Sequence, residues 1–256
     1  MPISKAQIKY LQSLKLKKYR LRYNKFIVEG DKMVREAMRD IPERIVSIYA
    51  RADWDGLSQV PHSLQEKCYH VNSTELERIS LQKEPNQVLA ELELGLKTPD
   101  EAAVAKGLSL YLDRTQDPGN LGTIIRIADW FGIAAIFLSP DTVEPYNPKV
   151  VQSTMGSFWR VPMESISIES LQQRYPTLSL VGSSLSGKPL DQWEAKSGSL
   201  LIIGNESKGM SAEMTAACSE LLLIPGDNNS LAESLNAAVS TGILCSYWSI
   251  SAGRRE

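Results

Sequence analysis

The sequence predicts an α/β protein in which a C-terminal, mostly parallel sheet with helices on both faces follows a smaller α/β domain. The chain has 256 residues, enough for one large domain or two smaller ones. Hydrophobic residues make up 43% and charged residues 23%, as in chains that fold around a core. From Leu108 onward, short apolar runs alternate with helical patterns, which is typical of a parallel sheet covered on both faces.

The first hundred residues predict the smaller domain. Residues 3–39 have a helical pattern, interrupted by a short extended piece at Phe26, Ile27 and Val28. Strand-like runs follow at 45–50, 67–71 and 88–94, with a helix-like piece at 73–80. The polar, small-residue segment 98–107 is the best candidate for a linker. We therefore expect an N-terminal domain at 1–97, a linker at 98–107 and a second domain at 108–256.

Charge is distributed unevenly along the chain. The formal net charge is only −2, but residues 1–30 hold eight basic groups and one acid, Glu29. The remainder carries 20 basic and 29 acidic groups. This asymmetry indicates a basic arm that contacts a polyanion, the alternative being a solvated helix face.

The few cysteines and histidines exclude several chemistries. The three cysteines are far apart and form no C-x-x-C pair, which favours a reducing cytoplasm and argues against disulfides or a zinc site. The only histidines are His62 and His70, so the C-terminal half has neither a Ser-His-Asp triad nor a histidine metal centre. No metal is expected. The uncharged stretch near the C-terminus is too polar for a membrane span and predicts a buried helix.

In the C-terminal part the strands and helices can be placed individually. Strand-like runs occupy 108–113, 134–139, 178–183, 199–203 and 221–224, and helical runs occupy 120–131, 149–155, 169–174, 212–217 and 231–248. Ligands of parallel sheets bind beyond the carboxyl ends of the strands. The loops after the strands are therefore where a functional site is expected.

The loop after the first of these strands reads D-R-T-Q-D-P-G-N-L-G. Pro118 and Gly119 predict a turn, and Asn120 is placed to cap the following helix. Arg126 lies on another face of that helix than the apolar stripe. Taken alone, this pattern favours a capped amphipathic helix with a solvated arginine.

Two later loops carry further polar residues. Gly204 and Gly209 bracket a tight turn that contains Glu206, which alone predicts a helix entry with an acid in its first turn. Ser230 and Glu233 have the spacing of a capping box. Asn236 falls in a predicted apolar helix, where a buried amide must form hydrogen bonds or face a ligand.

Together these three loops resemble the SpoU (TrmH-type) family of RNA ribose 2′-O-methyltransferases, within the SPOUT superfamily. The first motif, N-x-G-x-x-x-R, is matched by Asn120, Gly122 and Arg126. G-x-E-x-x-G is matched by Gly204, Glu206 and Gly209, and the third motif by Ile224, Pro225, Ser234, Leu235, Asn236, Gly242 and Ile243. The segment 147–162 is similar to a further family stretch. The N-terminal F-I-V-E-G and nearby basic residues look like a substrate-binding domain with an L30-type fold.

The resemblance implies a homodimer that binds S-adenosylmethionine in a C-terminal trefoil knot and methylates rRNA or tRNA. It implies cofactor contacts at Gly204, Ile224 and Leu235, and catalytic roles for Asn120, Arg126, Glu206, Ser234 and Asn236. Lys15, Lys17, Lys18 and Arg20 are then expected to bind RNA phosphates.

Because no histidine is available in this half, Arg126 is the key residue of the expected mechanism. Arginine stays protonated near neutral pH, so we expect it to stabilise a developing alkoxide and clamp a phosphate rather than act as a base. Glu206 would orient Arg126 or a neighbouring backbone group. Two alternatives are a non-catalytic RNA-binding or ribosome-assembly protein that retains the fold, and a nucleotide-dependent oxidoreductase. The missing G-x-G-x-x-G argues against the second.

Overall fold

A computed structural model describes residues 3–227 and 229–251. The chain forms two compact units: unit 1 comprises Met1–Gly95 and Glu144–Gly156, and unit 2 comprises Leu96–Val143 and Ser157–Glu256. Unit 1 therefore combines the N-terminal region with a segment that the chain reaches only after two strands of unit 2.

The helices and strands alternate through most of the chain. The α-helices are α1 (Lys5–Ser13), α2 (Lys17–Tyr23), α3 (Asp31–Asp40), α4 (Ser73–Ile79), α5 (Glu101–Lys106), α6 (Pro118–Phe131), α7 (Pro148–Ser153), α8 (Ile168–Arg174), α9 (Ala212–Ala217) and α10 (Ala237–Ser251). The strands are β1 (Lys25–Glu29), β2 (Ile45–Arg51), β3 (Cys68–Val71), β4 (Val88–Glu93), β5 (Leu108–Leu112), β6 (Ile136–Leu138), β7 (Met163–Ser165), β8 (Ser179–Pro189), β9 (Ser199–Ile203) and β10 (Glu220–Leu223).

Unit 1 is built on a four-stranded mixed sheet in the order β1-β4-β2-β3. β4 pairs antiparallel with both β1 and β2, and β2 pairs parallel with β3. Apolar side chains of α1 and α4 pack with Tyr49 and Leu89 of the sheet into one hydrophobic core. Burying these apolar surfaces is the main favourable contribution to the folding of this small unit.

The N-terminal helical region is more divided than its sequence predicts. The chain leaves the helix at Leu14 and starts α2 only at Lys17, where Leu16 provides no side-chain cap. Arg20 stabilises this break, because its Nη1 donates to the carbonyl oxygens of Leu14 and Lys15, both at 2.8 Å. Its other nitrogens form a two-point ion pair with the carboxylate of Glu144, also in unit 1.

Unit 2 contains a six-stranded sheet in the order β10-β8-β9-β5-β6-β7, in which every described pairing is parallel. This confirms the predicted mostly parallel sheet. Short strands buried on both faces, such as β5 and β9, carry almost exclusively apolar residues. β7 has no counterpart among the predicted strands, because Met163 is the only apolar residue of its three.

The strand order places two functional loops side by side. From β5 the chain moves outward to β6 and β7 on one side, whereas β9 and β8 lie on the other. Crevices of parallel sheets open where the strand order reverses in this way. The loops that follow β5 and β9 therefore leave the sheet at the same point.

Two predicted segments differ in the structure. The predicted linker 98–107 contains α5, because Asp100 caps a short alanine-rich helix and Val104 is buried in the core of unit 2. The predicted helix 231–248 begins only at Ala237. Ser230 accepts a hydrogen bond from the Ala232 backbone N–H at 3.2 Å, which forms a local turn instead of the expected capping box. Across the described ranges, no helix combines the length and hydropathy that a membrane crossing requires.

Candidate active site

The loop after β5 places Asn120 so that its side chain does not cap the following helix. The residue that caps α6 is Asp117, whose carboxylate accepts from the Asn120 backbone N–H at 2.8 Å, and Pro118 occupies the first helical position. The prediction that Asn120 is the cap is therefore wrong, since an acid three residues earlier takes that role. The Asn120 amide is left to contact the loop after β9.

The loop after β9 is held in one shape by its two glycines and Asn205. Backbone hydrogen bonds in both directions join Asn205 and Gly209, and Gly209 has a φ of 64°. A Cβ at Gly204 would lie 2.4 Å from the Met210 backbone nitrogen, so no side chain fits there. The Asn205 side chain donates to the Arg114 carbonyl oxygen at 2.7 Å. This rigid turn fixes the position of Glu206.

The third loop contributes Asn236 at the start of α10. Its Oδ1 accepts from the backbone N–H groups of Ala238 and Val239, at 2.9 and 3.3 Å. Asn236 is thus an exposed helix cap, and the prediction of a buried asparagine inside a helix is wrong. Because Oδ1 satisfies the helix end, the Nδ2 group remains available as a donor.

A chain of hydrogen bonds joins the three loops. Nδ2 of Asn236 donates to Oδ1 of Asn120 at 2.8 Å, and Nδ2 of Asn120 donates to Oε1 of Glu206 at 3.2 Å. The second carboxylate oxygen of Glu206 accepts from the Gln116 backbone N–H at 3.5 Å and from Asn205 at 3.4 Å. Three residues separated by up to 116 positions thereby act as one polar unit. We call it the Asn–Asn–Glu relay.

A cavity of about 380 Å³ lies beside this relay in unit 2. All three residues expected to hold a cofactor line it, namely Gly204, Ile224 and Leu235, and so do Glu206 and Ser234. Its lining mixes apolar side chains with a few polar groups, as small-molecule sites do.

Part of the cavity wall comes from residues that the sequence motifs do not include. β10 pairs with Val181 and Gly182 and then, after a shift of register, with Lys188 and Pro189 of the same strand. The intervening Ser183, Ser184 and Leu185 line the cavity. The serine-rich run after an apolar strand is the only sequence signal that could have identified them.

Arg126 is not part of the relay. It lies six residues after Asn120 on α6, about a third of a turn around the helix, and its side chain is exposed. Among the described residues it has no hydrogen bond or ion pair, and Glu206 contacts Asn120 and a backbone amide instead of Arg126. The structure therefore brings together Asn120, Glu206 and Asn236 and leaves the arginine on another face.

The four basic residues expected to bind RNA fall into two groups. Lys15, Lys17 and Lys18 are exposed in unit 1 and available to a polyanion. Arg20 is only 3% exposed, and its guanidinium is occupied by Glu144 and two carbonyl oxygens. The expectation that Arg20 binds phosphate is not supported, because its hydrogen bonds are used inside the unit.

Comparison with known proteins agrees with this architecture. Residues 107–246 match the model of the SpoU rRNA Methylase family, and residues 5–90 match that of the MRM3-like substrate binding domain. A similar protein is the 23S rRNA (guanosine(2553)-2′-O)-methyltransferase RlmP of Bacillus subtilis. It is 29% identical over 243 residues, which is 93% of this chain and 94% of the relative.

Solved structures of similar proteins superpose over nearly the whole chain. A TrmH-family structure from Porphyromonas gingivalis has a TM-score of 0.83 at 35% identity, covering 97% of this chain and 98% of that one. An AdoMet-bound rRNA methyltransferase from Sinorhizobium meliloti has a TM-score of 0.83 at 27% identity, covering 98% and 96%. With the family model matching more than half of its length, the chain belongs to the SpoU rRNA methylase family.

Proposed function

We propose that this protein transfers a methyl group from S-adenosylmethionine to a ribose 2′-hydroxyl of RNA. The observation that carries the proposal is the Asn–Asn–Glu relay, which joins all three motif loops beside one cavity. A protein that only bound RNA through its basic arm would have no need for three distant loops to converge in unit 2. Membership of the SpoU family supports the same reaction.

The cavity fits the proposed cofactor. Its volume of about 380 Å³ lies within the usual range for small-molecule sites. The apolar side chains of Ile224 and Leu235 would contact the cofactor, and Gly204 would let the backbone approach it closely. S-adenosylmethionine supplies, when bound, an electrophilic methyl group on a sulfonium centre. The chain itself must position the ribose hydroxyl.

Positioning is the role we propose for the relay. Glu206 accepts a hydrogen bond from the Asn120 amide and so fixes its orientation, and Asn236 donates to the other side of the same amide. Ser234 lines the cavity beside them and can offer a hydroxyl hydrogen bond. Fixed donors and acceptors reduce the reorganisation required when charge develops on the attacking oxygen.

Arg126 remains the residue we propose for stabilising that charge, and we propose that it acts across a subunit boundary in a homodimer. α6 and α10 pack against each other and expose apolar side chains, with Trp130 84% and Val239 51% exposed. Large exposed apolar side chains on neighbouring helices are typical of protein interfaces. In a homodimer whose interface contains these two helices, the exposed Arg126 of one subunit would lie near the cavity of the other.

For the substrate, we propose a ribose in large-subunit rRNA, bound mainly by residues 1–97 while residues 108–256 hold the cofactor. The B. subtilis relative, whose name specifies 23S rRNA, is covered over 94% of its length, and residues 5–90 match a substrate-binding family. A trefoil knot around the cofactor and a cytoplasmic location are part of the same proposal. The cytoplasmic location is proposed because the three cysteines are far apart in the sequence and form no C-x-x-C pair.

The test of the reaction is transfer of labelled methyl from S-adenosylmethionine to RNA, followed by mapping of 2′-O-methyl groups in cells with and without the protein. We expect one or a few ribose positions in large-subunit rRNA to lose their methyl group in its absence. No incorporation into any cellular RNA by protein that binds the cofactor would refute the enzymatic function and favour the RNA-binding alternative.

The role of Arg126 has its own test. Arg126→Ala should abolish transfer while cofactor affinity stays nearly unchanged. If the residue acts across the boundary, mixing Arg126→Ala with Glu206→Ala subunits should restore about a quarter of the wild-type rate, because half of the dimers are mixed and each contains one intact site. Failure of mixed dimers to recover activity would place Arg126 in the same subunit as its cavity, and an Arg126→Ala protein with full activity would place it outside the reaction.

A further inference from the structure

The helix α2 carries more positive charge than its surroundings neutralise. Its seven residues include Lys17, Lys18, Arg20 and Arg22 and no acid. Arg20 is neutralised by Glu144, but in the described part of the chain no carboxylate pairs with the other three, which are exposed. Lys18 and Arg22 lie one turn apart, and like charges at this spacing destabilise a helix.

The same helix carries two tyrosines, each next to one of these cations in the sequence. The rings of Tyr19 and Tyr23 are nearly parallel, with an interplanar angle of 12° and centroids 6.1 Å apart. Lys18 Nζ lies 4.8 Å from the centroid of Tyr19, and Arg22 Cζ lies 5.6 Å from that of Tyr23. We call this pair of rings the tyrosine platform.

The platform is supported from below and open to solvent. The ring of Tyr10 from α1 meets Tyr23 edge-on, with centroids 5.0 Å apart, and limits its movement. Tyr23 is nevertheless 37% exposed. A tyrosine that served only the core would bury its ring. Contact with solvent does not explain why two parallel rings are held beside unpaired cations, so we look for a ligand.

We propose that the tyrosine platform stacks an unpaired nucleobase of the substrate RNA, while Lys18 and Arg22 bind the phosphates that flank it. The proposal rests on the proposed function, because it assumes that the polyanion is RNA. Aromatic rings beside cations are the combination that binds single-stranded nucleic acid, since every base has a π-face and every nucleotide a charge. The side chain of Arg22 is exposed and can leave the Tyr23 ring for a phosphate.

This site makes the chain sensitive to RNA structure. A base inside a duplex is already stacked on its neighbours and cannot reach a protein ring, whereas bases in loops and bulges can. The lysines alone would bind either form, because phosphates occur in both. We therefore expect the full-length protein to prefer unpaired RNA, with the preference depending on the tyrosines.

Binding of the full-length protein to an oligoribonucleotide of roughly 12 nucleotides, single-stranded or annealed to its complement, tests the site. Tyr23→Leu should weaken single-strand binding roughly tenfold, the loss of one base–ring stack, and leave duplex binding and the salt dependence unchanged. Tyr23→Phe, which keeps the ring, should bind like wild type. Lys18→Gln should weaken both forms and reduce the salt dependence.

A control and a second variant keep the test decisive. Tyr69→Leu removes another tyrosine of unit 1 that is 50% exposed, and it should have no effect. Tyr19→Leu, which does not involve the contact with Tyr10, should repeat the effect of Tyr23→Leu even if that variant lowers thermal stability. Photocrosslinking of the wild type to bromouridine-substituted RNA should label Tyr19 or Tyr23 in the mass spectrum.

Unchanged single-strand affinity in both leucine variants, equal losses for duplex and single strand, or labelling only at other residues would overturn the platform. The methyl-transfer assay is read separately. A wild type that binds single strands through Tyr23 but methylates no RNA would refute the proposed function and retain this site. If the wild type methylates RNA, and the leucine variants bind and methylate RNA as well as the wild type does, the platform is refuted and the proposed function is retained.

Discussion

At the scale of single residues, the side chain of Asn120 is available to the site because another residue, Asp117, caps α6. Asp117 satisfies the backbone N–H of Asn120, so the Asn120 amide can accept from Asn236 and donate to Glu206. Sequence motifs indicated all three relay residues, and Glu206 was expected to orient Arg126 or a neighbouring backbone group. The structure shows the backbone contact, with the Gln116 N–H, and not the contact with Arg126. A motif records which residues are present, and it does not record which of them touch.

The relay predicts strong non-additivity between Asn120 and Glu206. Asn120→Ala and Glu206→Ala should each lower kcat/KM by about ten- to a hundredfold, and the double variant should be little worse than either, because both changes remove the same positioned amide. Initial rates of labelled methyl transfer measure this. Asn229→Ala, at an exposed position before α10, is the control and should keep its rate. Multiplying losses in the double variant would contradict the relay.

Glu29 predicts a pH dependence of stability in unit 1. Burial raises the pKa of its carboxyl, although Ser80 and the Leu81 backbone N–H donate to it. An acid with a raised folded pKa contributes stability that is complete below its unfolded pKa and is lost as the pH rises through the folded value.

Glu29→Gln removes this titration. Relative to wild type, the variant should therefore become progressively more stable as the pH rises above about 4, the unfolded carboxyl pKa. Chemical denaturation at several pH values measures the difference, and the exposed Glu66→Gln is the control. A difference between Glu29→Gln and wild type that does not change with pH would refute the role of burial.

At the scale of elements, the start of α10 decides where the third loop ends. The apolar pattern of 231–248 predicts one continuous helix, but residues 231–236 are exposed and non-helical. Asparagine is favoured at the start of a helix over its interior, because its side chain accepts hydrogen bonds from nearby backbone N–H groups. A hydropathy pattern does not contain this information, and the boundary was therefore predicted six residues too early.

Two substitutions separate the structural from the functional role of Asn236. Asn236→Asp keeps the acceptor for Ala238 and Val239 and suits the helix dipole, but it lacks the donor to Asn120. It should keep its stability and lose about tenfold in rate, the effect of one lost hydrogen bond. Asn236→Ala should also lose about 1 kcal/mol of stability.

Denaturation curves and initial rates on the same preparations distinguish these outcomes. Ser167→Ala is a matched control, because Ser167 caps α8 in unit 2 without touching the relay. It should lose similar stability and keep its rate. An Asn236→Asp protein with wild-type activity would show that the bond to Asn120 has no catalytic role.

At the scale of the whole molecule, the predicted division into two parts has one addition. Unit 1 recruits Glu144–Gly156, a segment that follows β6 in sequence, through contacts that include Arg20 with Glu144 and Gln82 with Gln152. A charged pair separated by 124 residues has no signature in local sequence. Charge counting therefore assigned Arg20 to RNA, whereas burial assigns it to the fold.

The proposed homodimer predicts that the exposed face of α6 is an interface. Trp130→Glu should convert a dimer into a monomer, because burying a carboxylate without a partner is costly, and should abolish transfer. Sedimentation equilibrium over a range of protein concentrations measures the association. Tyr69→Glu, at an exposed aromatic residue of unit 1, should leave the dimer intact. A wild type that is monomeric at all concentrations would contradict the proposal.

Sequence by itself determined the class of fold, the order of strands and helices in unit 2 apart from α5 and β7, and the three loops that carry the motifs. These features depend on local properties, namely apolar periodicity, turn residues and caps, which act over a few neighbouring positions. Only the tertiary structure decided which polar groups meet: Asn120 with Glu206 and Asn236, and Arg20 with Glu144. Such pairings depend on strand order and on packing between residues that are far apart in the sequence. The local sequence does not specify them, because each polar side chain could form hydrogen bonds with many different partners.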